Sequence, residues 1–193
     1  MEEKTSIDLL REFARGTGRT LEYTSVPYPT VAVHPIAHHR ITAYVADDAR
    51  SNLIFSSFSD SREFGALALF SGVFLTVNIP RAASLIARKA HAIDRLAMFS
   101  AKDRLKTGVP TFDRKIVLKG NDQEQARQFF GNHRIQDWSL KSLELDERCR
   151  IGVNIPDLDF VPAFKGRSVA GLFILGGWLL EPERIERFYE QVR

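Results

Sequence analysis

Cysteine is nearly absent from this chain of 193 residues, which has only Cys149. One thiol excludes an internal disulfide and a multi-cysteine metal centre. It suits a reducing compartment, so a cytoplasmic location is expected. Long hydrophobic runs are lacking as well. Phe64 to Ile79 is interrupted by Ser71, Gly72, Thr76 and Asn78, and Ser168 to Leu180 is short and contains three glycines. A spanning helix needs about 20 apolar residues, so no membrane span is expected. The opening MEEKTSIDLLREF carries charges where a signal peptide has its apolar core, and reads as the start of a helix. No repeat, low-complexity tract or glycine/serine linker divides the chain, which points to one domain over residues 1–193. There is no G-x-S-x-G elbow, P-loop or G-x-G-x-x-G turn, so neither that nucleophile nor a nucleotide cradle is expected, and no cofactor is assigned.

What remains is ordinary globular composition, 44% hydrophobic and 26% charged. A chain of this size buries roughly 70% of its extended surface and needs no staple to hold a core. A first helix is expected at Ser6–Ala14, capped by Ser6, with Leu9, Leu10, Phe13 and Ala14 as its apolar stripe and Gly16 and Gly18 beyond it. Loop with a short edge strand near Leu21–Thr24 follows. Ile41–Asp47 alternates, with Ile41, Ala43 and Val45 on one face, and Asn52–Ser59 continues as a strand. Phe64–Phe70 and Val73–Ile79 read as two more strands joined at Ser71–Gly72, covered on both faces. Short connections between successive strands favour an antiparallel meander.

After Pro80, the spacing of Ala82, Leu85, Ile86, Lys89, Ala90, Ile93, Leu96 and Ala97 predicts a long helix over Ala82–Phe99. A strand around Ile116–Leu118, helices ending at Phe130 and spanning Ile135–Leu143, and strands at Arg148–Asn154 and Ser168–Leu175 complete the series. Pro182 opens a closing helix with Ile185, Phe188 and Val192 inward. The expected fold is α+β: an antiparallel sheet packed against a long central helix and a C-terminal helix.

The segment Thr107-Gly108-Val109-Pro110-Thr111-Phe112-Asp113, followed by Gly120-Asn121-Asp122, resembles a loosely defined group of uncharacterised bacterial proteins over about residues 104–160. In that group a T-G-x-x-x-F-D segment precedes a strand and a G-x-D helix start. The resemblance implies no activity and no catalytic residue. Some members of the group are membrane-attached, whereas no spanning segment is expected here. The same residues have their own structural reading. Gly108 supplies a turn conformation, Phe112 plugs the core, Asp113 accepts from nearby backbone amides, and Gly120-Asn121-Asp122 turns a strand into a capped helix.

Charge supplies the broadest functional signal. Residues 81–119 carry ten basic and three acidic side chains, while the segments on either side are each slightly acidic. Arg81, Arg88, Arg95, Lys102, Arg104 and Lys106 are the candidate anion-binding residues, expected as a band along the long helix and the loop after it. Stacking aromatics and a reading motif are missing, so nucleic acid is not the expected partner. A second constellation, His34-x-x-x-His38-His39, has imidazoles at a spacing that serves a metal when they share a helical face, although Pro35 intervenes and no carboxylate lies close by. The carboxylate pair Asp157-x-Asp159 reads as a surface loop between Pro156 and Pro162. Cys149, inward on an alternating strand, reads as a small hydrophobe.

The function expected from these features is a non-enzymatic binding or interaction domain with a protein or anionic partner. A metal-dependent or acid–base hydrolase using His34, His38 and His39 is the second reading. Homodimerisation through a meander edge is left open.

Overall fold

Local chemistry places the cap of the first helix one residue earlier than expected. In the computed structural model, which describes residues 4–28, 39–46, 52–62, 65–92, 94, 104–155 and 157–193, helix α1 runs over Ser6–Gly16 and Thr5 is its cap. The Thr5 hydroxyl accepts from the Asp8 amide at 3.2 Å, and the Asp8 carboxylate accepts from the Thr5 amide at 3.2 Å. This reciprocal box satisfies two donors that a helix start otherwise leaves open.

Nine strands follow among the described residues: β1 (Thr20–Pro27), β2 (His39–Ala46), β3 (Ile54–Asp60), β4 (Leu69–Thr76), β5 (Leu85–Lys89), β6 (Arg104–Leu105), β7 (Ile116–Gly120), β8 (Cys149–Val153) and β9 (Val169–Leu175). Further helices with described bounds are α2 (Pro110–Asp113), α3 (Gln123–Phe130), α4 (His133–Ser142) and α5 (Pro182–Val192). The strands form one sheet in the order β1-β2-β3-β4-β9-β8-β5-β7-β6. Every neighbouring pair is antiparallel. The first four strands form an antiparallel meander, as expected in kind, but the single strand β4 stands where Phe64–Phe70 and Val73–Ile79 were expected as two. The class is therefore α+β with a large antiparallel sheet and short helices. No helix among the described residues is long and apolar enough to cross a membrane.

The expected long central helix over Ala82–Phe99 is overturned in its first half, while Ala92 and Asp94 are helical and residues 93 and 95–99 lie outside the described residues. Residues 85–89 are strand β5, which lies between β7 and β8 and pairs with both. Leu85 and Ala87 bury on one face of the sheet while Ile86 packs on the other. A strand covered on both sides is apolar at adjacent positions, which imitates a helical stripe over one turn. The ladder on both edges then outweighs helix propensity. The expected break at Ser71–Gly72 is also absent, since β4 passes straight through it. Gly72 serves close packing instead of a turn. A Cβ there would collide with the Leu172 carbonyl and the Phe173 backbone of the adjoining strand.

Two cores lie on opposite faces of the sheet. On the first, Val45, Phe55, Val73, Leu85, Ile151 and Leu172 meet Leu10 and Phe13 of α1, Phe130 of α3 and Ile185, Phe188 and Tyr189 of α5. The expected closing helix is thus in place against the sheet. On the second, Phe58, Phe70, Phe74 and Phe173 form an aromatic layer, covered by Leu158, Val161 and Phe164 from the segment between β8 and β9. The Phe74 and Phe173 rings stack at 5.7 Å between centroids, with Phe70 edge-on to each at 6.1 Å. The layer closes because Gly171 and Gly152 leave room beneath the Phe74 and Phe173 rings.

The Thr107–Asp113 segment does what its residue types require. Gly108 adopts φ +88°. Asp113 accepts from the Thr107 amide at 3.0 Å and the Thr107 hydroxyl at 2.9 Å. Phe112 is buried and stacks with Phe130 at 6.2 Å. Asp122 caps α3 by accepting from the Gln125 amide at 2.9 Å, and Asn121 pins the strand turn to Ser84 and Ala82.

Cys149 points into the first core, and burial pushes its thiol up to about 12, helped by nearby Asp146. A protonated, enclosed thiol is a poor nucleophile. Iodoacetamide at about pH 8 is expected to modify the folded protein on the order of a hundredfold more slowly than the denatured chain, followed by intact mass. Comparable rates in the two states would show that the thiol is accessible.

Candidate functional site

One left-handed residue organises a cleft at the end of β8. Asn154, just past the end of β8, has φ +52°, the one positive value outside glycine among the described residues. Asparagine tolerates that region better than other side chains because it is short and can bond locally. The conformation directs its side chain between three segments. Its amide nitrogen donates to the Ala83 carbonyl at 2.8 Å and the Pro80 carbonyl at 3.2 Å, while its oxygen accepts from the Val169 amide at 2.9 Å. The approach to β5, the end of β8 and the start of β9 are thereby locked together.

Around this lock lies a cleft of about 240 Å³ with Arg81, Asp157, Asp159 and Arg167 at its rim, and Ile155, Leu158, Phe164 and Val169 forming its apolar part. The carboxylates and guanidiniums are not equivalent. Asp157 accepts from the Asp159 amide at 3.2 Å, and Asp159 accepts from the Gly166 amide at 3.3 Å, so both shape the loop itself. Arg81 reaches Asp159 only at 3.4 Å, with both side chains about half exposed. Such a pair is weakly held. Arg167 is exposed and makes no ion pair among the described residues. The donors of the cleft are thus less committed than its acceptors.

The six expected anion-binding residues do not form a band along one helix. Arg81 is at the cleft. Arg88, on β5, is held by Asp94 through two contacts of 2.6 and 2.5 Å. The Arg88 guanidinium in turn holds the Asp94 carboxyl well below the usual carboxylate range. Arg104, on β6, turns its guanidinium inward to the Asp113 and Ile116 carbonyls. Lys106 is exposed in the following loop. Arg95 and Lys102 lie outside the described residues. The correction has the same cause as the overturned first half of the helix, because a strand and two loops cannot align side chains that a helical repeat would. Arg150 was not among the six. It sits across from Arg88 on the second face, where burial and the neighbouring Arg88 lower its pKa.

His34 and His38 also lie outside the described residues. His39 begins β2, is exposed, and uses its backbone amide to donate to the Ser61 hydroxyl at 2.9 Å. No group of three histidine, cysteine or acidic side chains capable of holding a metal is found among the described residues.

A second groove, of about 360 Å³, runs between α1 and β1. Arg11, Ala14, Arg15, Arg19, Leu21 and Tyr23 line it. Arg19 is already engaged, since its guanidinium forms a two-point pair with Glu186 and lies 4.3 Å from the Tyr189 ring centroid. Arg11 pairs with Asp8 at 2.6 Å and sits 5.8 Å from the Tyr23 ring centroid.

Comparison with known proteins adds no relative: no family model, curated protein or solved structure matches this chain.

Proposed function

We propose that this chain is a non-enzymatic binding domain that holds an anionic group of a protein partner between Arg167 and Arg81. One observation carries the reading. In a cleft where both carboxylates are tied to loop backbone, Arg167 keeps its guanidinium uncommitted and Arg81 is only loosely paired. A planar guanidinium presents a fork of donors suited to carboxylate or phosphoryl oxygens. The cleft is smaller than the roughly 300–1,000 Å³ usual for drug-sized ligands, so it suits a side chain or head group. Approach of the anion displaces the long Arg81–Asp159 contact, which costs little at that exposure.

The test uses glutarate and inorganic phosphate as probes, read by the NMR shifts of arginine side-chain N–H groups. Arg167→Ala is expected to weaken binding about fivefold or more, while Lys106→Ala leaves it unchanged. Affinity is expected to fall as salt rises. Equal binding by the native chain and Arg167→Ala would remove this proposal.

A further inference from the structure

Among the described residues the sheet ends at β1, and that end has the character of an unfilled position. β1 is eight residues long and, among the described residues, pairs only with β2. Its last six residues in succession, Glu22 to Pro27, are exposed, and among the described residues Tyr23 and Val26 are the large apolar side chains that stand furthest into solvent, each 49% exposed. A long edge with uncommitted backbone groups is a template for another strand unless charge, a bulge or a cover blocks it. Here the only charged residue in the strand is Glu22, and Pro27 closes its far end.

The groove beside this edge decides which strand fits. Leu21 and Tyr23 share the face of β1 that looks toward α1, and Arg11 and Arg15 of α1 overhang them. Arg15 is exposed and makes no ion pair among the described residues. Glu22 lies on the opposite face, because neighbouring strand residues alternate. We infer that the free edge of β1 accepts an extended acidic peptide by strand addition, with its acidic side chains on the α1 side beneath Arg11 and Arg15. Main-chain hydrogen bonds supply the pairing, and the alternation of charge sets which face the acidic residues take. A second copy of this chain fits less well. An antiparallel β1–β1 junction has its two-fold axis perpendicular to the sheet, so both α1 helices fall on one side and the two Arg11/Arg15 pairs are brought toward each other. This surface is lined by different residues from the Arg81–Arg167 cleft and does not depend on that reading.

An octapeptide alternating glutamate and valine, labelled at one end, is the probe, with fluorescence anisotropy as the readout at low salt. The native chain is expected to bind it, and a peptide with glutamine in place of glutamate is expected to bind on the order of tenfold more weakly. Arg15→Glu, at an exposed position, is expected to lower affinity for the glutamate peptide by a similar factor, with an unchanged thermal melt. A glutamate peptide N-methylated at alternate residues, which cannot complete the ladder, is expected to lose binding. Equal binding of the methylated peptide would overturn strand addition, and indifference to Arg15→Glu would overturn the acidic preference. Concentration-dependent dimerisation by sedimentation that excludes the peptide would assign the edge to a second copy and also overturn the proposal.

Discussion

Gly171→Ala is expected to destabilise the fold by about 3 kcal/mol, the upper end of what overpacking a well-filled core costs. The new methyl would stand 2.7 Å from the Val73 carbonyl oxygen and closer still to the Phe74 ring edge. Neither neighbour can yield cheaply. Val73 is paired with Leu172 in the β4–β9 ladder. The Phe74 ring is held by its stack on Phe173 and by the edge of Phe70, so moving it displaces the whole aromatic layer. A loss of this size is a large share of the roughly 5–15 kcal/mol that stabilises a typical domain. Urea denaturation checks it through a lower midpoint with an unchanged slope. Gly16→Ala is the matched control, because a Cβ at the end of α1 meets nothing within 4 Å. There the substitution is expected to be neutral or stabilising by about 0.5 kcal/mol. If both variants melt alike, the close approach at Gly171 is not what limits stability.

Part of this architecture was legible where apolar residues alternate with polar or small ones. Ile41, Ala43 and Val45 in β2, and Cys149, Ile151 and Val153 in β8, alternate with Thr42, Tyr44, Arg150 and Gly152, and a period of two has one simple reading. Pro182 and Ile185 announced α5 by the same logic of a fixed first turn and a helical stripe. Leu85 to Lys89 failed for the opposite reason. Leu85, Ile86 and Ala87 are apolar in succession and pack on alternate faces, so the alternation goes unmarked until Arg88. Only pairing with β7 and β8, contributed by residues some 30 and 65 positions away, decides for a strand.

The cleft shows the same limit. Arg81 and the Asp157/Asp159 pair stood out in the sequence as separate features, and Arg167 did not stand out at all. What unites them is the left-handed turn at Asn154 and its bonds to residues 80–83 and 169. An asparagine two residues before a proline hints at a turn. It does not say which distant segments the side chain will join.

Tyr189→Ala is expected to cost about 4 kcal/mol, in the range found when a large buried ring is removed. Tyr189→Phe, in contrast, is expected to cost only about 1–2 kcal/mol. The difference follows from what the ring and the hydroxyl each do. The ring is fully buried where α5 meets the sheet, with the Arg19 guanidinium 4.3 Å from its centroid. The hydroxyl donates to the Val45 carbonyl at 3.0 Å and accepts from the Phe55 amide at 3.1 Å, two groups at facing positions of β2 and β3. Phenylalanine keeps the packing and forfeits those two bonds. Alanine also leaves a cavity and strips the aromatic face from Arg19, whose side chain is only 7% exposed and still paired with Glu186. Because Glu186 and Tyr189 are one turn apart on α5, helix and sheet are clamped through a single cluster, and the cavity is not expected to close by collapse. Chemical denaturation of the two variants reads the partition directly. Equal losses would assign the clamp to the hydroxyl bonds alone, and a neutral alanine variant would show that α5 does not depend on this ring.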